Sequence, residues 1–405
     1  MAKPTGSTCN IACDYCFYLE KEALYPNDKR SMDDATLEAY IQQHILAQPS
    51  DYVEFSWQGG EPTLLGISFF KRVVHLQEKY QSNKTITNTL QTNAMLLNDQ
   101  WCKFFKKYDF LLGVSIDGPK ELHDYYRKNR KAKGSFSQVM KGIQYLKKHR
   151  VEYNLLVTIN NNNVQHPEDM YQFLRNLGSH HIQLIPIIER KSSENSHLKL
   201  LVSPENSHYS IQEWSVNANN YGQLLCVFFY QWIKHADIGR LYIQQFENSL
   251  AAWMTDGKDP SIICVFSETC GHSLALEKNG DLYQCDHFVH PDYLLGNIHK
   301  TSIKNMNNSL QARQFGKEKH TKLSEQCINC SYRFACHGGC PKHRFVIGNS
   351  TYNENYFCSA YQRYFNYITP VMNYLCDILE QNINIPDYIE QFGTQHLLQL
   401  LTSEN

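Results

Sequence analysis

Residues 9–16 read Cys9-Asn10-Ile11-Ala12-Cys13-Asp14-Tyr15-Cys16, a C-x3-C-x2-C run. Three thiolates at this spacing are soft ligands that wrap a metal or an iron–sulfur cluster. On a straight helix Cys9 and Cys16 would be separated by about 10 Å of rise, awkward for one cluster. Pro4, Gly6 and Ser7 just upstream favour a loop instead. No other cysteine follows until Cys102, so a cubane held here keeps one iron open for a ligand.

A second set lies far downstream: Cys264, Cys270 and Cys285, then Cys327-x2-Cys330-x5-Cys336-x3-Cys340, then Cys358. Eight thiolates close two cubanes, and closed clusters carry electrons. Zinc is the competing reading for Cys327-x2-Cys330, but it leaves Cys264, Cys270 and Cys285 unexplained. Cys102, Cys226 and Cys376 sit in apolar helical patterns and read as core thiols.

The 405-residue chain carries a formal net charge of -1, which argues against a nucleic-acid or membrane-surface binder. Its first residues show no apolar signal segment, and no apolar run approaches a bilayer span. A cytoplasmic location is expected, where cysteines bind metals more often than they form disulfides.

Apolar runs predict strands at Tyr52–Trp57, Thr85–Thr92, Phe110–Ile116, Tyr153–Ile159 and His181–Ile187. Helical patterns alternate with them: Met32–Leu46 with Ser31 as N-cap, Phe69–Tyr80, Asp99–Lys107, Phe136–His149 with a Ser135/Gln138 capping box, Glu168–Leu177 and Tyr221–Lys234. This alternation is the α/β class, a parallel sheet rolled into a full or partial barrel. Only Met1–Ser7 precede Cys9, so a first strand is at most a stub. The polar stretch Arg190–Ser215 reads as a long rim loop. The expected division is a barrel over 1–235, a linker over 236–262, a cysteine-rich domain over 263–360 and a helical tail over 361–405. Within the third part, Asn279-Gly280 predicts a two-residue hairpin with Lys278 opposite Asp281 and Leu274 opposite Cys285. Gly338-Gly339 is expected to let backbone crowd against a cluster.

The run Cys9–Cys16 resembles the radical S-adenosylmethionine (SAM) signature, C-x3-C-x-aromatic-C. Two further segments carry the resemblance: Gly59-Gly60-Glu61-Pro62 after the strand ending at Trp57, and Ser115-Ile116-Asp117-Gly118 closing another. The resemblance implies a partial (β/α)6 TIM-like barrel. It also implies SAM on the open iron, with the GGE segment at its amino group and Ser115 at its ribose. Arg127 would stand near its carboxylate, its alternative being a solvated charge. Gln91, Thr92 and Asn93 end the preceding strand and face the same rim. Tyr15 and Ile188 are candidate adenine packers, with the barrel core as the other reading for Ile188.

The downstream set resembles the SPASM extension of peptide- and protein-modifying radical SAM enzymes. Carried over, one cluster takes Cys264, Cys270, Cys285 and Cys340, and the other takes Cys327, Cys330, Cys336 and Cys358. Three 4Fe–4S clusters in all are implied. Within that group the chain is similar to the anaerobic sulfatase-maturating enzymes, on Lys3-Pro4, Cys16-Phe17-Tyr18, Gln58–Leu64, Ser115–Pro119, Gln284–Phe288 and Gly338–Arg344. The resemblance implies oxidation of a cysteine or serine in a nascent sulfatase polypeptide to Cα-formylglycine. Asp286 would be the base, and a flavodoxin- or ferredoxin-type protein the electron donor. A SPASM maturase that crosslinks a precursor peptide needs the same clusters and is the alternative enzyme. An iron–sulfur carrier or zinc scaffold is the non-enzymatic one, and it needs no SAM site.

Overall fold

The computed structural model describes residues 1–25, 31–192, 209–259, 261–348 and 350–402. Six parallel strands form the barrel wall: β1 (Ala2–Lys3), β2 (Tyr52–Trp57), β3 (Thr85–Thr92), β4 (Phe110–Ser115), β5 (Tyr153–Ile159) and β6 (His181–Pro186). Helices α1 (Asp34–Ala47), α2 (Gly66–Tyr80), α3 (Asp99–Lys107), α4 (Lys120–Tyr126), α5 (Phe136–His149), α6 (Pro167–Arg175) and α7 (Ala218–Lys234) follow or link them. The wall is the expected partial (β/α)6 TIM-like barrel. The stub β1 suffices because it pairs on both sides: Ala2 with Trp57 of β2, and with Leu276 of the cysteine-rich region.

Local chemistry departs from expectation at two points. Asp33, not Ser31, caps α1, accepting from the Thr36 amide at 2.8 Å. The face Leu37, Tyr40, Ile41 and Ile45 is buried as the spacing predicted. Ser135 makes no capping bond to its own helix; its hydroxyl donates to the Arg127 carbonyl, 2.8 Å away. A tertiary acceptor has won over the local one.

Arg190–Ser215 is not wholly loop. Beyond β6, β7 (Arg190–Ser192) pairs antiparallel with β8 (Tyr209–Ile211), and residues 193–208 between them lie outside the described residues. The expected linker 236–262 is also ordered. It carries β9 (Tyr242–Ile243), which extends the wall beside β6, and helix α8 (Gln244–Thr255).

The cysteine-rich region continues the same sheet. Strands β10 (Ala275–Glu277), β11 (Asp281–Tyr283) and β12 (Leu294–Asn297) run antiparallel to one another, and β10 lies parallel to β1. The order is β12-β11-β10-β1-β2-β3-β4-β5-β6-β9. The hairpin register is one residue off the expectation: Ala275 faces Tyr283 and Leu276 faces Leu282. Its loop has three residues, Lys278–Gly280. The Gly280 amide returns to the Glu277 carbonyl and Gly280 takes a left-handed φ of 89°. A one-residue slip exchanges the two faces of a strand.

The barrel core is aromatic, with Phe55, Trp57, Phe70, Phe105 and Phe110 fully buried. Each such ring contributes roughly 1.5–3 kcal/mol by burial. The long helix Cys358–Glu380 closes the outside by packing on α7. That close approach needs Gly222, where a Cβ would lie 2.8 Å from Ala360 Cα. Among the described residues no helix is long and apolar enough to cross a membrane.

Candidate active site

The predicted SAM-site segments meet at the C-terminal edge of the barrel strands, where barrels build their sites. After β1 the chain enters the first cysteine run as a loop, not a helix. The loop is stitched down by Ala12 N–H to the Lys128 carbonyl (2.8 Å) and Asp14 N–H to the Tyr126 carbonyl (3.2 Å). Asn93, at the end of β3, holds its start: Nδ2 donates to Asn10 Oδ1 at 2.7 Å and approaches Cys9 Sγ at 3.7 Å.

The GGEP segment lies directly against this loop. Gly60 N–H donates to the Gly6 carbonyl (2.7 Å) and Glu61 N–H to the Thr8 carbonyl (2.9 Å). A Cβ on Gly60 would fall 2.0 Å from the Thr8 oxygen. The glycine therefore serves the fit between two backbones. The Glu61 side chain is fully buried and already satisfied. Oε1 accepts from the Thr63 amide, the Thr63 hydroxyl and Thr92 Oγ1, and Oε2 accepts from the Asn93 amide at 2.7 Å. Glu61 and Thr92 thus lock β2 to β3. What the segment offers a ligand is backbone, not the carboxylate.

Beneath the loop lies a buried triad. The Tyr15 hydroxyl donates to Asp117 Oδ2, and Arg127 Nη1 donates to the Tyr15 oxygen at 2.9 Å. Arg127 Nη1 stands 3.9 Å from Asp117 Oδ1. Burial pushes the Asp117 carboxyl up while Arg127 pulls it down. Arg127 is buried, so the solvated reading fails. Tyr15 is committed by its hydroxyl and by edge packing on Tyr126, which makes it a support of the loop. With Ile11, Cys13, Tyr126 and Ile187 it forms a small core of its own. Ile188 sits in the main barrel core instead, so its neighbour Ile187 is the residue that meets the cysteine loop. Gln91 and Ser115 end β3 and β4 at the same rim, part-buried. Trp214 packs on the small core from the rim segment, a position no sequence pattern marked.

The eight downstream cysteines sort into two groups of neighbours. Cys270 and Cys285 each feel the charge of Cys264 and Cys340. Cys358 feels Cys327 and Cys330, and Cys336 feels Cys327 and Cys358. All fourteen cysteines are free thiols. Among the described residues no three His, Cys, Asp or Glu side chains close around a single metal ion. The donor set of three plus four plus four fits iron–sulfur clusters, whose thiolates attach to separate irons. Burial pushes the Cys270 and Cys336 thiols up to about 12, and coordination is what deprotonates such a thiol. For SAM, the rim supplies buried donors with no acceptor among the described residues, Arg127 Nε and Trp214 Nε1.

Asp286 joins the two cysteine regions. It follows Cys285 at the end of the hairpin, and Lys3 Nζ from β1 stands 2.7 Å from its Oδ1. The contact is an ion pair but lies off hydrogen-bonding angles, since Oδ1 finds no donor. Lys21, over the Phe17 and Tyr18 rings, donates to the Asp286 carbonyl at 2.7 Å. Burial pushes the Asp286 carboxyl up, but the charges of Lys3 and Lys21 more than offset this and hold it ionised, below the carboxylate range. Tyr18 donates to Glu277 of β10. His287 Nδ1 is 3.5 Å from Cys340 Sγ, and its ring meets Phe17 edge-on. Lys3 and Tyr18 stood in quoted segments without a role. Their meeting with Asp286 follows from β10 pairing with β1, which no local pattern announces.

Comparison with known proteins accords with this geometry. Residues 4–174 match the Radical SAM superfamily and residues 264–331 an iron–sulfur cluster-binding domain. The serine-type anaerobic sulfatase-maturating enzyme of Bacteroides thetaiotaomicron is 43% identical over 93% of this chain and 90% of its own. The cysteine-type enzyme of Clostridium perfringens is 31% identical over 91% and 96%. The solved structure of native anSMEcpe with bound AdoMet and Cp18Cys peptide superposes with a TM-score of 0.80 at 30% identity, covering 93% of this chain and 98% of that one. The chain is an enzyme that belongs to the radical SAM family of anaerobic sulfatase-maturating enzymes, with SAM and 4Fe–4S clusters as its cofactors.

Proposed function

We propose that the protein oxidises a serine or cysteine in a nascent, unfolded sulfatase polypeptide to Cα-formylglycine. The observation that carries this reading is the Asp286 carboxylate, held ionised by Lys3 where the second cysteine region meets the first. When bound, SAM and the clusters supply a carbon-centred radical that takes a Cβ hydrogen atom, and an acceptor for the remaining electron. Cys9, Cys13 and Cys16 would hold the SAM cluster. The Gly59–Glu61 backbone, Gln91, Asn93, Ser115 and Arg127 would line the SAM site. Cys264, Cys270, Cys285 and Cys340 would hold one auxiliary cluster, and Cys327, Cys330, Cys336 and Cys358 the other.

Asp286 takes the hydroxyl or thiol proton of the target on its carboxylate. Lys3 pairs with that carboxylate and Lys21 anchors its backbone carbonyl, and the two charges keep it unprotonated near neutral pH. His287, whose imidazole burial and Lys342 hold neutral, adds no charge beside it. The serine-type relatives are more similar than the cysteine-type ones, which favours serine as the preferred target. We place the enzyme in the cytoplasm with a flavodoxin- or ferredoxin-type donor. The barrel domain would span 1–235 and the cluster domain 263–360.

The test is anaerobic incubation of reconstituted protein with SAM, reductant and serine- or cysteine-containing sulfatase peptides. Mass loss of two hydrogens at serine, or conversion of cysteine to the aldehyde, is expected. Asp286→Asn should still cleave SAM yet form no aldehyde. A crosslinked peptide, or normal maturation by Asp286→Asn, overturns the reading.

A further inference from the structure

Two buried cations stand among the downstream cysteines. Lys319, in helix Leu310–Thr321, is 1% exposed. Its Nζ donates to the carbonyls of Cys264 (2.5 Å), Val265 (3.0 Å) and Ser267. Arg344 donates to five carbonyls, among them Lys319 (2.7 Å), His337 (2.9 Å) and Gly338 (3.0 Å). Gly338 exists to admit it, since a Cβ there would lie 2.8 Å from Arg344 Nη2. Gly338 thus makes room for the guanidinium, whereas Gly339 lies against Asn355.

Neither cation pairs with a carboxylate among the described residues. Their opposite-charge neighbours are the thiols. Lys319 faces Cys264, Cys270 and Cys340 of one quartet, and its charge also reaches Cys336 of the other. Arg344 faces Cys270 and Cys340 of that quartet and Cys327 and Cys336 of the other. The two cations also repel each other. A buried charge without a counter-charge costs several kcal/mol. Carbonyl dipoles offset part of that, and the net negative charge of a thiolate-ligated cluster offsets more.

We propose that Lys319 and Arg344 set the reduction potentials of the auxiliary clusters, Lys319 acting chiefly on the Cys264–Cys270–Cys285–Cys340 cluster and Arg344 on both. The inference rests on the assignment of the two quartets as cluster ligands. A fixed cation beside a cluster favours the state with one more electron, so it raises the potential. Both are positioning groups for charge: Lys319 touches the backbone of a ligand residue, and Arg344 the carbonyls of His337, Gly338 and Gly339 between two ligands. Poised upward, the auxiliary clusters accept an electron more readily, and Arg344 lies where an electron would pass between them.

The test is an EPR-monitored redox titration of the reconstituted full-length enzyme. Lys319→Gln keeps a donor for the carbonyls and removes the charge, whereas Lys319→Arg keeps the charge. Lys319→Gln should lower one auxiliary potential by about 59 mV or more, a tenfold shift in its reduced-to-oxidised ratio. The other potential should fall by less, and both should stay in Lys319→Arg. Arg344→Gln should lower both potentials and Arg344→Lys neither. Unmoved potentials in fully loaded Lys319→Gln overturn the proposal, as does an equal fall in Lys319→Arg, which would mark a packing effect. Should Lys319→Gln fail to load its clusters, the Arg344 pair decides by the same criteria. Failure of the underlying assignment reads differently: the wild type would then bind clearly fewer than about twelve irons, the number three cubanes require.

Discussion

Lys3 Nζ and Asp286 Oδ1 lie 2.7 Å apart although 283 positions separate them in the chain. The pair exists because β1 sits between β2 and β10, which carries the barrel's first strand to the cysteine-rich region. Removing one partner leaves the other charge buried, a loss of about 3 kcal/mol at the low end of the usual range because Lys21 remains nearby. Lys3→Met should therefore lower stability by about that much in denaturant titration. It should also depress aldehyde formation more than SAM cleavage. In a double-mutant cycle with Asp286→Asn the two losses should not add.

Arg127 offers a parallel case at the other end of the site. Among the described residues it is the one cation paired with Asp117, whose Oδ2 also receives the Tyr15 hydroxyl. Arg127→Met leaves Asp117 buried with only the Tyr15 hydroxyl and the Thr158 amide as donors, and should cost about 3–5 kcal/mol. Tyr15→Phe, which spares the ion pair, should cost about 1–3 kcal/mol. Thermal unfolding of the apo chains gives the order, and iron counting shows whether the first cysteine loop still loads.

A pH dependence follows from Glu247 in α8. Burial pushes its carboxyl up to about 7, whereas an unfolded chain titrates near 4.5. The native state then binds the extra proton, so its stability falls as pH rises from about 4.5 to about 7. Glu247→Gln should relieve this. The variant should be more stable than wild type at pH 8 by about 2 kcal/mol, discounted for partial exposure, and about equal at pH 4. Urea midpoints at the two pH values check it. An equal gain at both would mean a packing effect.

The barrel was legible because strands β2 to β6 announce themselves as short apolar runs between amphipathic helices, each a local signal. The cysteine count was legible for the same reason: ligand spacing survives in one dimension. The hairpin register was not, since Asn279-Gly280 suits a two-residue loop and the last two residues of a three-residue loop alike. Nor were the buried cations. Lys3, Lys319 and Arg344 look like any surface charge until strands or carbonyls from distant segments close over them. Glu61 shows the same limit from the other side. Its presence in the motif was plain, but its four donors come from Thr63, Thr92 and Asn93, and that made it a brace.

Gly60 gives the sharpest steric test of the site. Its backbone passes so close to the first cysteine loop that a Cβ would meet the Thr8 oxygen at 2.0 Å, its carbon at 2.4 Å and the Ser7 carbon at 2.8 Å. All three atoms are backbone, so no side chain can swing away. Gly60→Ala must separate the two loops and break the Gly60–Gly6 and Glu61–Thr8 hydrogen bonds, each worth about 1 kcal/mol. Gly66→Ala is the control. Gly66, unlike Gly60, has a positive φ, of 74°, but its nearest obstacle is the end of the Ser68 side chain at 3.9 Å. It should lose only the cost of that backbone conformation, of order 1–3 kcal/mol. Gly60→Ala should lose more than Gly66→Ala in stability, and it alone should weaken SAM binding in equilibrium dialysis. Equal SAM affinity in the two variants would show that the contact between these loops does not shape the site.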